Sequence, residues 1–117
     1  MTLIKRTMFS VAALSLATGM AAPPAIAQDD PVKKGQEVYA AQKCQTCHSI
    51  AGKGGKQSPL DGVGKKLSAD EIRQWIVAPT EMTKKSGSTK KPPMPNRYSK
   101  LPAADIDAMV AYLASLK

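Results

Sequence analysis

The strongest constraint on this chain is the pentapeptide CQTCH at residues 44–48, which contains both cysteines and the only histidine of the 117 residues. Two cysteines cannot build a disulfide-rich scaffold. A single histidine excludes zinc sites with two histidine ligands, and no further Cys or His is present to complete four zinc ligands. A redox C-x-x-C site of the thioredoxin type needs a βαβ context, which this sequence does not show.

The same spacing is a signature of covalent haem attachment. Two cysteines three positions apart at the end of a helix can form thioethers with the two vinyl groups of one haem. The histidine that follows then lies under the iron, where its imidazole binds as the proximal ligand. The sequence therefore predicts one covalent haem c, with its iron, on Cys44, Cys47 and His48.

The composition also indicates that a cofactor completes the core. The chain has one Trp, three Tyr and one Phe, which would make a thin core without a cofactor. Domains below roughly 70–80 ordered residues usually need a disulfide, a metal or a partner. Long connections without secondary structure are uncommon unless they are functional or wrap something. We therefore expect an apolar group in the middle of the fold.

The first 27 residues have the order of a secretory signal peptide. Two basic residues precede an uncharged apolar run over residues 9–22, and the small-x-small sequence Ala-Ile-Ala follows it. The apolar run is shorter than the roughly 20 residues of a membrane span, which disfavours the alternative of a retained anchor. We expect cleavage after Ala27 and a periplasmic mature domain of residues 28–117 without a membrane span.

The charge balance predicts the kind of partner. The chain has 17 Lys and Arg against 9 Asp and Glu, a formal net charge of +8, and removal of Lys5 and Arg6 with the signal peptide would leave +6. A basic surface can bind nucleic acid, membranes or acidic proteins, but an exported protein rarely meets nucleic acid. We expect acidic redox partner proteins, both donor and acceptor, and no nucleic acid. A solvated surface without a specific use is the alternative.

Apolar spacing and capping signals predict a small all-α fold of three to five short helices with long loops. Asp30 followed by Pro31 is typical of a helix start, and the small Gly35 inside this helix indicates a close neighbour. No stretch alternates with a period of two for long enough to be a strand. The expected segments are a helix over 31–43, a loop over 51–64, a helix from the capping box at 68–71 to Pro79, a polar loop over 81–100 and a final helix from Pro102.

In this order, the segments resemble a monohaem class I cytochrome c of the short bacterial periplasmic type. The resemblance covers nearly all of residues 28–117 and implies helices and long loops wrapped around one covalent haem. Its specific motif is the CQTCH pentapeptide. The supporting motifs are Gly35-x-x-x-Tyr39, Ser58-Pro59-Leu60-x-Gly62-Val63-Gly64, Met94-Pro95 and Val110-Ala111-Tyr112-Leu113.

A methionine is the candidate for the second axial ligand, because His48 is the only histidine. Met109 falls on the apolar stripe of the last helix, and Met82 lies in a polar context. Met94 is flanked by prolines that restrict its backbone, so less entropy is lost when it binds. The family resemblance selects the same residue. We expect His48 and Met94 as iron ligands, with Met82 or an open position as the alternatives.

The resemblance also implies contacts around the haem. The carbonyl oxygen of Pro59 would accept a hydrogen bond from Nδ1–H of His48, which fixes the ring and raises its basicity as a ligand. Leu60 would pack on the haem edge. Trp75 would lie over the haem near Met94, with its indole N–H directed to a propionate or to the sulfur; a core tryptophan on an amphipathic helix is the alternative.

The ligand set predicts the function. A haem with His and Met ligands has no vacant position for oxygen or peroxide, which leaves one-electron transfer. We expect a monomeric periplasmic electron carrier rather than an enzyme. A haem c subunit of a multi-chain periplasmic oxidoreductase is the alternative. A haem enzyme or gas sensor would require Met94 to be absent or displaceable.

Overall fold

The structure is a computed structural model that describes residues 30–117 together with Gly19, Ala21 and Ala22. The expected cleavage site after Ala27 and nearly all of the predicted signal peptide lie outside the described residues. Within the described part of the chain, no helix combines the length and apolar composition that a bilayer crossing requires. The elements are α1 Pro31–Ala41, β1 Ser49–Ile50, β2 Lys53–Gly54, α2 Val63–Lys66, α3 Ala69–Val77, α4 Pro79–Ser86 and α5 Ala103–Ser115, with 3₁₀ turns at Cys44–Thr46 and Asn96–Lys100.

The predicted all-α class with three to five short helices is confirmed. Helix α1 begins as its sequence indicates: the side chain of Asp30 accepts a hydrogen bond from the N–H of Val32 at 3.0 Å, and Pro31 occupies the first helical position. The helix ends at Ala41, before the expected end at Lys43. Lys43 adopts a left-handed conformation with φ 57°, which turns the chain out of the helical path.

Helix α3 is held at its start by the predicted capping box. The N–H of Glu71 donates to Oγ of Ser68 at 3.2 Å, and the N–H of Ser68 donates to Oε2 of Glu71 at 2.8 Å. Two N–H groups that the helix itself cannot satisfy are thereby paired. The helix buries Ile72 and Ile76, which are 2% and 3% exposed, and leaves Trp75 half-buried.

Pro79 ends α3, as predicted, and it also begins α4. The prediction of a loop over 81–100 is therefore wrong for its first residues. Helix α4 is polar around most of its surface, so it carries no apolar stripe that would reveal its period. Its ends do carry helix signals: Pro79 in the first position, and Gly87 in a left-handed conformation with φ 65° after the last turn.

Helices α1 and α5 cross in close contact at Gly35. A Cβ atom on this residue would lie 2.1 Å from the carbonyl oxygen of Ala108 and 2.5 Å from Cβ of Tyr112. The rings of Tyr39 and Tyr112 then meet edge to face, with centroids 5.8 Å apart and planes at 74°. The close neighbour predicted for Gly35 is therefore confirmed, and it belongs to α5.

Most of the buried core lies between α5 and the helices that it contacts. On the outside, Nζ of Lys34 in α1 lies 3.5 Å from Asp105, and Arg73 in α3 pairs with Asp107. Such exposed pairs contribute about 0–1 kcal/mol each, so apolar burial contributes more to the free energy of unfolding. The core residues are Val38, Tyr39, Ile72, Ile76, Tyr98, Ile106, Met109, Val110, Tyr112 and Leu113.

The segment predicted as a loop over 51–64 contains more structure than expected. Strands β1 and β2 pair antiparallel through Ser49–Ile50 and Lys53–Gly54. Ala51 and Gly52 form the tight turn between them, with φ 51° and 75°, and the N–H of Ala51 donates to Oδ1 of Asp61 at 2.7 Å. The expectation of no strand is wrong here, because strands of two residues show no alternation that a sequence pattern could reveal.

Candidate haem-binding site

The CQTCH segment folds into a tight turn directly after α1. The carbonyl oxygen of Cys44 accepts hydrogen bonds from the N–H groups of both Cys47, at 3.2 Å, and His48, at 3.0 Å. This turn keeps the two thiols and the imidazole on one short piece of backbone. Both cysteines are partly buried and neither forms a disulfide. Their sulfur atoms therefore remain available for thioether bonds.

The β-hairpin packs against this turn through two glycines. A Cβ atom on Gly54 would lie 2.3 Å from the carbonyl oxygen of His48, and one on Gly55 would lie 2.3 Å from that of Thr46. The N–H of Gly55 also donates to the carbonyl oxygen of Gln45 at 2.8 Å. Only residues without a side chain allow this approach, so the two glycines fix the backbone of the motif from outside.

The ring of His48 is oriented by a main-chain carbonyl. Nδ1 lies 2.8 Å from the carbonyl oxygen of Ser58. A carbonyl only accepts, so Nδ1 carries the proton and Nε2 keeps the lone pair that binds a metal. The expected partner was Pro59, one residue further on, and that assignment is wrong. The proline still restricts Ser58, because the residue before a proline is held in an extended conformation.

The loop after the hairpin is hydrogen-bonded to the two residues that flank His48. The N–H of Ser58 donates to the carbonyl oxygen of Cys47 at 3.2 Å, and the N–H of Leu60 donates to that of Ser49 at 2.9 Å. Leu60 is partly buried and packs against the core, whereas Pro59 is exposed. Leu60, the side chain expected on the haem edge, thus lies two positions after Ser58, the residue that orients the histidine.

Tyr39 connects α1 to the candidate ligand. Its hydroxyl donates to the carbonyl oxygen of His48 at 3.3 Å. Burial, together with the smaller effects of nearby Cys44 and Tyr112, raises the pKa of Tyr39 to about 12. Burial also raises the pKa of the Cys44 thiol, against smaller lowering effects of its main-chain hydrogen bond and of Arg97. Because its pKa is raised, Tyr39 stays neutral at ordinary pH and keeps the hydroxyl proton that it donates to His48.

Met94 lies on a loop whose backbone is restricted by prolines and whose downstream end is tied to α4. It is half-buried and packs against the core, and Pro93 and Pro95 restrict the backbone around it. Downstream, the side chains of Asn96 and Thr80 pair through contacts of 2.8 and 3.0 Å. An open cleft adjoins this loop and is lined by Thr80, Thr83, Lys84, Lys91, Pro93, Met94, Pro95 and Asn96.

The other two methionines of residues 30–117 lie in different surroundings. Met109 is 2% exposed inside the core, which agrees with the prediction that it is a packing residue. Met82 is half-buried on α4, a helix rather than the expected loop. Met94 is therefore the methionine whose proline-bounded loop lines the cleft.

The donor chemistry fits a c-type haem better than a bare metal ion. Two unpaired thiols accompany an imidazole with its Nε2 lone pair available, and Met94 supplies a thioether on a restrained loop. Among the described residues, no three His, Cys, Asp or Glu side chains come together in a group that could hold a metal ion. The zinc alternative thus has no supporting ligand set in this part of the chain.

Comparison with known proteins identifies the family of this chain. The family model described as cytochrome c matches residues 32–117. The chain belongs to the cytochrome c family. No curated protein and no solved structure matches it. Membership of this family implies covalently bound haem c with its iron, and its members generally transfer electrons to partner proteins.

Sequence reasoning missed several residues that shape the site. Ser58 belongs to a motif of the family resemblance in which no role was predicted for it. The hydrogen bond of its carbonyl with His48 depends on the path of the loop, which no sequence periodicity determines. Asn96 lies just after the Met94 loop, and Thr80 lies at the start of α4, a helix that the sequence analysis did not predict. Pro79 in the first helical position was the available signal for α4, but the hydrogen bonds between Asn96 and Thr80 depend on the complete fold.

Proposed function

We propose that the chain is a periplasmic electron carrier with one haem, attached through Cys44 and Cys47 and ligated by His48 and Met94. The observation that carries the proposal is the hydrogen bond from His48 Nδ1 to the carbonyl of Ser58 at 2.8 Å. It fixes the tautomer in which Nε2 is free to bind iron, next to two thiols that are not joined to each other.

The two candidate axial ligands differ in how they are held. The hydrogen bond to Ser58 orients the His48 ring and raises its basicity. Met94 is restrained by neighbouring prolines and by the side-chain pair of Asn96 and Thr80. A bound haem supplies a one-electron redox couple, and a methionine ligand raises its potential. Restrained ligands limit the geometric change between the two oxidation states, which suits repeated electron transfer.

The half-buried side chains of Leu60 and Trp75 complete the proposed pocket. Both leave part of their apolar surface uncovered by protein. Leu60 follows the loop that orients His48, and Trp75 lies on α3, whose buried face joins the core. We assign Leu60 to the haem edge and Trp75 to the side near Met94. An apolar wall excludes water and so raises the potential.

A basic surface supports docking to acidic partners. Between Met82 and Ala104 the sequence contains no acidic residue. The basic residues of this stretch are Lys84, Lys85, Lys90, Lys91, Arg97 and Lys100. They surround Met94 in sequence, and two of them line the adjoining cleft. Complementary charge raises the rate of encounter, so an acidic donor or acceptor would be steered to this side.

The test is expression of the full chain in a bacterial host that exports proteins and attaches haem c. We expect a periplasmic product that begins at Gln28, elutes as a monomer and retains one haem per chain after acid–acetone extraction. Replacing both Cys44 and Cys47 with alanine should abolish this retention, whereas the same change at Ser99 and Ser115 should not. Haem that extracts freely from the wild type would contradict covalent attachment.

A second part of the test separates a free electron carrier from a haem enzyme or gas sensor and from a fixed haem subunit. The reduced protein should pass one electron to an inorganic oxidant and bind carbon monoxide only slowly. Rapid carbon monoxide binding would instead indicate a haem enzyme or gas sensor with an open position. Elution from the native periplasm in one complex with another oxidoreductase chain would identify the protein as a haem subunit.

A further inference from the structure

We propose that Lys90 is a positioning residue that ties the loop carrying Met94 to the segment that orients His48. Its Nζ donates to the carbonyl oxygen of Gln57 at 2.7 Å, across 33 positions of sequence. This contact joins the loop that carries Met94 to the loop that orients His48, which would approach the iron from its two ligand sides if both residues bind it. The inference rests on the proposed function, since it assumes that both side chains bind the same iron.

The acceptor of Lys90 belongs to a peptide unit that already contacts the haem motif. The carbonyl of Gln57 and the N–H of Ser58 are the two ends of one peptide group, and that N–H donates to the carbonyl of Cys47 at 3.2 Å. A cation on the carbonyl polarises the peptide group and strengthens donation by its N–H. Lys90 therefore reinforces the bond that holds Ser58 against the motif.

Ser58 is also the residue that accepts from His48 Nδ1 at 2.8 Å. Displacement of this residue would move the carbonyl on which the imidazole orientation depends. The hydrogen bonds thus form a short connected path from Lys90 through one peptide group to the histidine. Each step in this path joins named atoms. Replacing Lys90 therefore interrupts the path without altering His48 or Met94.

On the other side, Lys90 closes the upstream end of the methionine loop. Asn96 and Thr80 fasten the downstream end through contacts of 2.8 and 3.0 Å, and prolines restrict the backbone between the two ties. Without the upstream tie, the loop would be held at one end and would open more often. Met94 would then leave the iron more frequently, although its own side chain is unchanged.

Lys85 provides a matched control. It is a lysine on the exposed surface of α4, five positions before Lys90, and it does not line the cleft that adjoins Met94. Lys85→Leu removes the same charge and adds the same side chain as Lys90→Leu, but it leaves the bond to Gln57 in place. Lys90→Arg keeps a cationic donor at the position and serves as the conservative variant.

The experiment compares these three variants with the wild-type holoprotein by two measurements. The first is hydrogen–deuterium exchange at the amide of Ser58, and the second is the rate and affinity of imidazole binding to the oxidised protein. For Lys90→Leu we expect both exchange and imidazole affinity to rise by about fivefold, the size of effect that a lost hydrogen bond produces. Lys85→Leu and Lys90→Arg should stay close to the wild type.

Equal changes in Lys90→Leu and Lys85→Leu would overturn the inference, because they would indicate a general effect of charge. Unchanged Ser58 exchange in Lys90→Leu would overturn it as well. The weak far-red sulfur-to-iron band of the oxidised wild type separates these results from a failure of the proposed function. If that band is absent, or if Met94→Ala retains it, Met94 is not the ligand and both proposals fail; if Met94→Ala removes it, a negative result concerns Lys90 alone.

Discussion

Gly35 of α1 and Tyr112 of α5 meet with no space for a methyl group between them: a Cβ atom on the glycine would lie 2.5 Å from Cβ of the tyrosine. The carbonyl of Ala108 is closer still, at 2.1 Å. Because the nearest atoms belong to a helix backbone, they cannot move aside as a flexible side chain would. The crossing of the two terminal helices therefore depends on the absence of a side chain at position 35.

Gly35→Ala should consequently destabilise the folded protein. The clash costs about 1–3 kcal/mol as overpacking, while the higher helix propensity of alanine offsets about 1 kcal/mol of this. The measurement is the free energy of unfolding of the holoprotein in denaturant. Gln36→Ala, on the exposed side of the same helix, is the control and should be neutral or slightly stabilising. A stabilised Gly35→Ala would contradict the close crossing.

Met94→Ala should open the iron, whereas Met82→Ala should not. In the oxidised protein, loss of Met94 should remove the far-red sulfur-to-iron band, lower the reduction potential and raise imidazole affinity by at least about tenfold, because no internal ligand competes. Met82 lies on α4 rather than on the restrained loop, so its removal should leave the band intact. The reverse pattern in the two spectra would move the axial ligand to Met82.

The parts of the fold that follow a local rule could be predicted from sequence. The capping box of Ser68 and Glu71 formed as predicted because its atoms are three residues apart. A close neighbour of Gly35 was predicted because glycine lowers helix propensity, so its presence inside a helix indicates close packing. Helix α4 was missed because its surface is mostly polar, and only Pro79 and Gly87 mark its ends.

The finer geometry of the site could not be obtained in this way. Between His48 and Ser58 the chain forms a hairpin and a loop, and no repeat determines which carbonyl faces the ring. The family resemblance implied the carbonyl of Pro59, one residue away from the carbonyl that the structure places there. The contact of Lys90 with Gln57 joins two loops distant in sequence, so it depends on the complete fold. Local sequence patterns identified the candidate haem-binding residues, whereas tertiary packing determines which hydrogen bonds form around them.

The capping box should make the free energy of unfolding sensitive to acid. The hydrogen bonds with Ser68, first from its main-chain N–H, lower the pKa of Glu71 from 4.5. The folded state thus favours the charged carboxylate, and the stabilisation is present above the unfolded pKa and lost as pH falls through the folded pKa. We expect the unfolding free energy of the wild type to fall more steeply below about pH 4.5 than that of Glu71→Gln.

Asp70→Asn is the control for that experiment. Asp70 is an exposed carboxylate in the same first turn, but it takes no part in the capping box. Its replacement should leave the steep acid dependence in place. If Glu71→Gln and Asp70→Asn flatten the pH profile to the same extent, the effect comes from charge at the helix start rather than from the capping bond.

Electron exchange should show the sign of the charge around the candidate haem edge. Lys84 and Lys91 line the cleft beside Met94, and the net charge predicted after signal removal is +6. Two ionised haem propionates would lower this by about two and leave the protein basic. An anionic oxidant such as hexacyanoferrate(III) should therefore react faster at low salt than in concentrated salt. A cationic oxidant such as tris(phenanthroline)cobalt(III) should react more slowly at low salt than in concentrated salt.

Stopped-flow oxidation of the reduced protein across a salt series provides the measurement. Raising the ionic strength to about 0.15 M shortens the screening length to roughly 8 Å, so the two oxidants should respond in opposite directions. Lys91→Glu should slow the anionic reaction several-fold and quicken the cationic one. Lys33→Glu on α1 makes the same change of charge away from the cleft and should have a smaller effect. Rates that do not depend on salt, or equal effects of the two reversals, would reject electrostatic steering to the Met94 side and leave the lysines as a solubilising surface.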